Sequence, residues 1–374
     1  LFIGREEQLD DLIKNISAHH DTTLYGQRKV GKSSLIQEAI RVYHKKHKKH
    51  LFLKLDLSQC TSTQEFISIL CSKISDLTQR TKPLKHKIYE IGNFITSIKP
   101  IISIDPITGK FEQSFDFAGT KREVDKTLDD VFDLLGSIAK EFALTMIIDE
   151  FQSITFFSDS DKLQWKLRSR IQEQNNIGFI FLGSSTRLIS EIFIDSKSAF
   201  YKSTDLIYLE NRLKPALVFP WIRKQFLKAK IKISDEIIKE ITDITRFHPY
   251  YTQKFCYNLW RDNFIEGSRK ITELTGDIFR QSLKKIINKE KLIFQERFDR
   301  LSANQRAILK ALAKLEPGES ITGKEARLRF DLSTRAAIAK SLKSMEKEIS
   351  PLIYKSEESG YIIEDPFFEL WLKS

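Results

Sequence analysis

Eight consecutive residues, Gly26-Gln27-Arg28-Lys29-Val30-Gly31-Lys32-Ser33, constrain this chain more than any others. They follow a short β-rich run, Thr22–Tyr25, and open a segment, Lys32–Lys46, in which Leu35, Ile36, Ala39, Ile40 and Tyr43 recur with helical period. The two glycines let the backbone curl so that successive N–H groups face one point, and the helix N-terminus adds the positive end of its dipole. Strand, glycine-bracketed loop, Gly-Lys-Ser and helix make up the phosphate-loop pattern. It predicts a cradle for ATP formed by Gly26, Gln27, Arg28, Lys29, Val30, Gly31, Lys32, Ser33 and Ser34. Lys32 is expected to bridge the β- and γ-phosphates, and the Ser33 hydroxyl to ligate Mg2+.

A phosphate loop needs a sheet behind it, and the first half of the chain supplies one. The candidate strands are Thr22–Tyr25, Leu51–Leu57, Leu144–Asp149, Gly178–Leu182 and Leu206–Leu209, separated by longer helical patterns. That alternation predicts an α/β domain with a mostly parallel five-stranded sheet covered on both faces. Ile101–Ile104 and Phe111–Phe117 break the rhythm as two short alternating runs joined by Asp105–Lys110, and read as a β-hairpin inserted at about 98–118.

Leu144-Thr145-Met146-Ile147-Ile148-Asp149-Glu150 is an apolar strand ending in two carboxylates, as expected where a buried central strand delivers acids to the carboxyl edge of the sheet. Asp149 is the candidate Mg2+ ligand and Glu150 the candidate base that polarises the attacking water. Gly178–Leu182 likewise runs into Gly183-Ser184-Ser185, where a hydroxyl of Ser184 or Ser185 could sense the γ-phosphate.

After about Leu213 helical patterns take over, at Asp235–Ile244, Tyr250–Asn263 and Gly276–Ile287. From about Leu301, Ala303–Leu315, Gly323–Phe330 and Ser333–Lys347 read as three helices, followed by a hairpin of Leu352–Lys355 and Gly360–Ile363. Three helices and a hairpin describe a winged helix-turn-helix. The expected organisation is 1–212 for the α/β core, 213–295 for a helical domain and 296–374 for the winged helix.

Three cysteines, Cys60, Cys71 and Cys256, have neither zinc-site spacing nor the density of a disulfide scaffold. No apolar run approaches the roughly 20 residues that cross a bilayer, so no membrane partner is expected and the compartment is expected to be cytoplasmic. The net charge is +11. Between Asp205 and Lys291 there are 18 Lys/Arg against 11 Asp/Glu, and Arg41–Lys49 holds five more basic residues, so nucleic acid is a candidate partner for these two regions. His44, His47 and His50 lie within and beside that second cluster and read as part of a solvated basic face. Phe156 and Phe157 read as packing residues, the alternative being an exposed loop that meets a partner.

Phe2-Ile3-Gly4-Arg5-Glu6, the phosphate loop, Asp149-Glu150-Phe151-Gln152, Gly183-Ser184-Ser185 and His248-Pro249-Tyr250-Tyr251 occur in an order that resembles the archaeal-type ATPase family. That family lies on the STAND side of the AAA+ ATPases and is related to origin-recognition initiators. The resemblance implies a P-loop NTPase core with strand order 5-1-4-3-2 and a nucleotide lid made by the helical domain. It also implies adenine contacts from Phe2, Gly4 and Arg5, and closure of His248 and Pro249 over base or ribose. Where relatives carry glycine before His-Pro and a trans-acting arginine, this chain has Phe247 and Lys202; Arg187 is the other candidate for that arginine. The implied activity is a MgATP-hydrolysing conformational switch with a protein partner and a capacity to oligomerise. The alternative is a DNA-binding, initiator-like or mobile-element ATPase.

Overall fold

Leu144–Ile148 and Ile177–Gly183 are buried at every position and apolar at all but Thr145, which suits strands covered on both faces of a parallel sheet. In the computed structural model, which describes residues 3–80, 98–104, 111–117, 121–262, 272–316, 318–346, 351–356 and 360–374, they are two of the three inner strands of a five-stranded parallel sheet. The strands are β1 (Thr22–Tyr25), β2 (Leu51–Asp56), β5 (Leu144–Asp149), β6 (Ile177–Gly183) and β7 (Asp205–Tyr208), ordered β2-β5-β6-β1-β7. Counted without the inserted hairpin and read from the β7 edge, this is the order 5-1-4-3-2 that the resemblance implied. The hairpin itself pairs β3 (Ile98–Ile104) with β4 (Phe111–Phe117) antiparallel, Ile104 opposite Phe111. Its expected turn, Asp105–Lys110, lies outside the described residues.

Alternation along the strands divides the core in two. Met146, Ile148, Phe179 and Phe181 face one cluster, packed beneath α3 (Thr63–Arg80), α4 (Lys121–Ala139), α5 (Ser160–Gln172) and α6 (Thr186–Phe193). Leu24, Ile147, Ile180 and Leu182 face the other, covered by α1 (Glu6–Ser17) and α2 (Lys32–Lys46). Each fully buried Leu, Ile or Phe contributes roughly 1.5–3 kcal/mol relative to an exposed one. The two helices that carry the phosphate loop and its approach therefore rest on the same sheet face as Ile147 and, two residues on, Asp149.

The chain divides into two compact units, Leu1–Asn211 and Arg212–Ser374. In the second, α7 (Pro215–Lys228), α8 (Asp235–Thr245), α9 (Pro249–Trp260) and α10 (Gly276–Asp299) form the helical part. Two brief parallel strands, β8 (Lys232–Ile233) and β9 (Glu273–Leu274), sit among them and had no sequence signal. α10 does not stop at Ile287 but runs to Asp299, so the line drawn at 295/296 falls inside a helix. The winged helix consists of α11 (Ala303–Ala313), α12 (Lys324–Arg329), α13 (Arg335–Glu346), the antiparallel pair β10 (Ile353–Ser356) and β11 (Gly360–Ile363), and α14 (Pro366–Lys373). Ser302 and Gln305 cap α11 reciprocally, the side chain of each accepting the other's N–H, at 3.3 and 2.9 Å.

Two other expectations are corrected. His50 is buried rather than on the solvated face of His44 and His47; its Nε2 lies 2.8 Å from the Thr145 hydroxyl, and burial, with His19, His47 and His44 nearby, pushes its pKa down to about 4. Of the phenylalanine pair, Phe157 is packed, whereas Phe156 is 71% exposed. All three cysteines are free and buried.

Asp21 ties β1 to both neighbours. Its carbonyl accepts the N–H of Asp205 (2.9 Å) and its carboxylate accepts the N–H of Phe179 (3.0 Å). Burial raises this carboxyl to a pKa of about 6, against the lowering effects of the Phe179 bond, Arg168 and His20. A folded pKa above the unfolded value means that the group's stabilisation is full below about pH 4 and is lost as pH rises through about 6. Asp21→Asn keeps an acceptor for Phe179 and removes the buried charge. It is expected to match the parent near pH 4 and to be more stable by on the order of 1–2 kcal/mol at pH 8, measured by denaturant unfolding across pH.

Candidate functional site

The carboxyl ends of β1, β5 and β6 place the sequence-predicted polar residues at one edge of the first unit. β1 leaves the sheet at Tyr25 and enters the phosphate loop, whose first residue is pinned by Gly26 N–H donating to the Gly183 carbonyl at 3.3 Å. A Cβ on Gly26 would lie 2.5 Å from the Leu209 carbonyl oxygen, so only glycine allows the loop to pass the end of β7. Gly31, at φ +102°, turns the backbone into α2 through a conformation that side-chain-bearing residues rarely adopt. Lys32 is buried, with its ammonium donating to the carbonyls of Gly26 and Gln27, both at 2.8 Å. Burial pushes its pKa down to about 8, against the pull of Glu150 and Asp149. Ser33 and Ser34 are exposed on the first turn of α2, while Arg28 and Lys29 are exposed and Val30 is buried.

Arg5 precedes α1, is buried, and donates through Nη2 to the Glu210 carbonyl. Gly4 N–H is held by the Glu6 carboxylate at 3.0 Å. Asn211 Nδ2 donates to Gln27 Oε1 at 3.2 Å. The approach segment, the loop and the chain leaving β7 are thus bonded together. Phe2 lies outside the described residues.

At the end of β5, Asp149 accepts Lys54 Nζ at 3.0 Å and the N–H of Glu150 at 3.1 Å. Glu150 takes a left-handed backbone, φ 51° and ψ 43°, which ends the strand and starts a 3-10 turn over Phe151–Phe156. Phe151 anchors that turn in a ring cluster with Phe181, Phe193 and Phe200, at centroid distances of 4.6, 5.7 and 5.3 Å. Above it, the Glu150 carboxylate accepts the Ser184 hydroxyl at 2.6 Å and the side-chain amide of Gln152. Ser185, paired with Ser184 as a sensor candidate, instead accepts the Leu188 N–H at 3.4 Å and caps α6. Arg187 is ion-paired with Glu191 at 2.5 Å on the surface, and Lys202 lies exposed over the Tyr201 ring.

In the second unit, His248 and Pro249 form the corner between α8 and α9. Arg246 and Phe247 both take positive φ, 52° and 58°, to make that corner, and Pro249 opens α9 with its fixed φ. His248 is buried and its ring packs on Tyr251 at 4.8 Å.

Sequence reasoning brought forward the loop, the acid pair and Ser184. It did not single out Lys54, whose only signal is a cation inside an apolar strand, nor Gln152, present only as a letter in the resembling motif. The donor set at the edge consists of hard oxygens, the Ser33 hydroxyl and the Asp149 carboxylate, beside a lysine and a curled glycine loop; it fits a nucleotide phosphate with a hard divalent cation.

The sequence profile of an ATPase domain predominantly from Archaea matches residues 2–216, more than half of the chain, and that of a probable winged helix domain matches residues 292–374. No curated protein matches the chain. Among solved structures, the Walker-type ATPase of Pyrococcus abyssi is similar at 18% identity and a TM-score of 0.61, over 100% of this chain and 96% of that one. The Aeropyrum pernix ORC2 protein, solved as ADPNP-ADP complexes, is similar at 12% identity and 0.57, over 99% and 92%. The ORC1 protein of the same organism, solved in complex with DNA, is similar at 11% identity and 0.52, over 100% and 93%. At these identities the likeness is one of fold. With the profile match over residues 2–216, the chain belongs to the archaeal-type ATPase family: it is a P-loop, ATP-hydrolysing enzyme that carries a C-terminal winged helix.

Proposed function

We propose that this protein is a MgATP-driven conformational switch of the AAA+/STAND kind, in which the nucleotide held at the phosphate loop changes how the winged helix is presented to a protein partner. Gly26–Ser34 would cradle the phosphates, Ser33 and Asp149 would hold Mg2+, and Glu150 would accept the proton of the water that attacks the γ-phosphorus as the bond to the ADP oxygen breaks. Mg2+, when bound, supplies charge neutralisation on the phosphates. Lys32 would exchange its two backbone carbonyls for phosphate oxygens, and Ser184 would sense the γ-phosphate. Gly4, Arg5 and, by the resemblance, Phe2, His248 and Pro249 would contact the nucleoside.

The observation that carries the switch is the corner holding His248 and Pro249. Arg246 donates through Nη1 to the Ile363 carbonyl on β11 at 2.7 Å and pairs with Glu369 on α14. Tyr251 donates its hydroxyl to Glu364 at 2.7 Å, and its ring meets Phe367 at 6.1 Å. A nucleotide that engages this corner therefore acts on residues bonded directly to the wing and the terminal helix.

Lys32→Ala is expected to weaken ATP binding about a hundredfold by removing a charge-assisted contact to phosphate. Glu150→Gln is expected to bind ATP like the parent and to lose about 10²–10⁴-fold in turnover. Filter binding and phosphate release separate the two, and turnover of Glu150→Gln at the parental rate would remove the base from the mechanism. Solution scattering of Glu150→Gln protein without nucleotide and saturated with ATP is expected to give different profiles, because the lid closes on the base. Superimposable profiles, with binding confirmed, would take away the switch.

A second reading, DNA engagement, is favoured by three exposed cations on α13, Arg335, Lys340 and Lys343, in a fold shared with the DNA-bound ORC1 protein. Charge around them opposes it: residues 296–374 hold 14 Lys/Arg against 13 Asp/Glu, with Glu357 and Glu358 in the wing sequence. Since phosphate neutralisation supplies most non-specific affinity, weak duplex binding is expected from this part. Fluorescence anisotropy of the whole protein with random duplex at about 150 mM salt is expected to be unchanged by Arg335→Ala with Lys340→Ala. Submicromolar, salt-sensitive binding abolished by that pair would put DNA engagement first.

A further inference from the structure

We infer that Gln152 is the positioning residue for Glu150: its amide, with the Ser184 hydroxyl, clamps one carboxylate oxygen and leaves the other free to hold water. The inference rests on the reading of Glu150 as the base.

All three polar contacts close into a single directed triangle. Ser184 Oγ donates to Glu150 Oε2 at 2.6 Å, Gln152 Nε2 donates to the same Oε2, and Gln152 Nε2 lies 3.3 Å from Ser184 Oγ, on the same side of the amide. One amide N–H and the Ser184 hydroxyl thus converge on Oε2. Among the described residues, Glu150 Oε1 accepts no hydrogen bond. The amide orientation follows from charge, since the opposite flip would aim Gln152 Oε1 at a carboxylate.

Gln152 is 6% exposed and its Oε1 is buried without a partner. Buried polar atoms without a protein partner are uncommon, and beside Glu150 this one belongs to a side chain whose amide end is committed to the carboxylate. The backbone supports the same purpose. Phe151, fully buried between Glu150 and Gln152 in the sequence, fixes the 3-10 turn, so that positions 150 and 152 both present their side chains to Ser184 at the end of β6. A carboxylate anchored at one oxygen has one rotamer and one direction in which to accept a proton, and a general base works through that direction. Because Ser184 belongs to the same triangle, a phosphate oxygen that engages its hydroxyl alters the restraint on Glu150, and Gln152 then keeps the base in place.

Gln152→Met removes both donors while keeping length and volume. The expected result is a kcat lower by about tenfold to a hundredfold, with the ATP dissociation constant within about twofold of the parent. In the Glu150→Gln background, single-turnover hydrolysis with excess enzyme should fall by less than about twofold on adding Gln152→Met, because the residue acts through Glu150 alone. Should the methionine variant fail to fold, Gln152→Leu, which also lacks the amide donors and adds no charge, is read in the same way. A Gln152 variant within twofold of the parental kcat while Glu150→Gln is inactive overturns the inference and leaves the base in place. A Gln152 substitution that lowers the rate by the same factor in both backgrounds also overturns it, by showing a general structural role. Parental turnover by Glu150→Gln instead overturns the reading on which the inference depends.

Discussion

The parallel pairing of β5 between β2 and β6 is the constraint on which the site depends. Asp56 lies in register with Asp149, Ile148 with Phe181, and Tyr25 with Gly183, so four strands end within a residue or two of one another. β5 and β6 are buried almost to their ends because both faces are covered, and the charged side chains appear only where the covering helices stop. Asp149, Glu150, Gln152, Ser184 and the first glycine of the loop meet at that line. A one-residue slip of β5 would exchange the sheet faces of Asp149 and Ile148 and separate the acid from the face covered by α2.

Residues of this kind are legible in sequence when local pattern and tertiary demand coincide. Thr22–Tyr25, Lys32–Lys46, Leu144–Asp149 and Gly360–Ile363 begin and end where periodicity placed them. The limits of β2, β6 and β7 shift by a residue at one or both ends, because the last pairing of a strand depends on its neighbours and pattern carries little of that. α10 outran its expected end at Ile287 for another reason: the helix continues by burying Phe294 and Phe298 against the Trp371 ring of α14, a partner about 75 residues away. His50 departed from the basic face around it because it stands immediately before β2, where the Thr145 hydroxyl of β5 offers a partner. α14 itself, capped by the Asp365 carboxylate on Phe367 and Phe368, was not anticipated, although Asp-Pro followed by an apolar run is a helix start.

The polar networks were least legible, since sequence distance hides them. Ser184 and Glu150 are separated by 34 positions, and Arg246 and Ile363 by 117, with no periodicity linking either pair. What they share is a backbone forced into positive φ beside a buried aromatic residue. At Glu150 the anchor is Phe151, and at Arg246 and Phe247 the corner is held between Thr242, whose carbonyl accepts the Phe247 N–H at 3.2 Å, and the buried Tyr251. Strain of this kind persists only where surrounding packing overdetermines the conformation, which is why it marks both the acid pair and the α8–α9 corner.

Charge at the sheet edge follows the same logic of preorganisation. Lys32 is withdrawn from water and satisfied by two carbonyls of its own loop, and Asp149 is matched by Lys54 from the neighbouring strand. Each charged group that the proposed reaction calls on therefore already has a protein partner, and the loop keeps its curl through contacts internal to the chain. Those partners are weaker competitors than phosphate or a divalent cation: a neutral carbonyl for Lys32, and for Asp149 a lysine whose side chain is 46% exposed and screened by solvent. Exchange of such partners for stronger ones costs little reorganisation, because the backbone N–H groups, the α2 dipole and the strand ends remain where the sheet has put them. Glu150 differs, because its partners are neutral donors that can stay bound while its other oxygen takes up a proton. The carboxylate that must keep its aim is the one held by Gln152 and Ser184, and the groups that must change partners are held by bonds that can be exchanged.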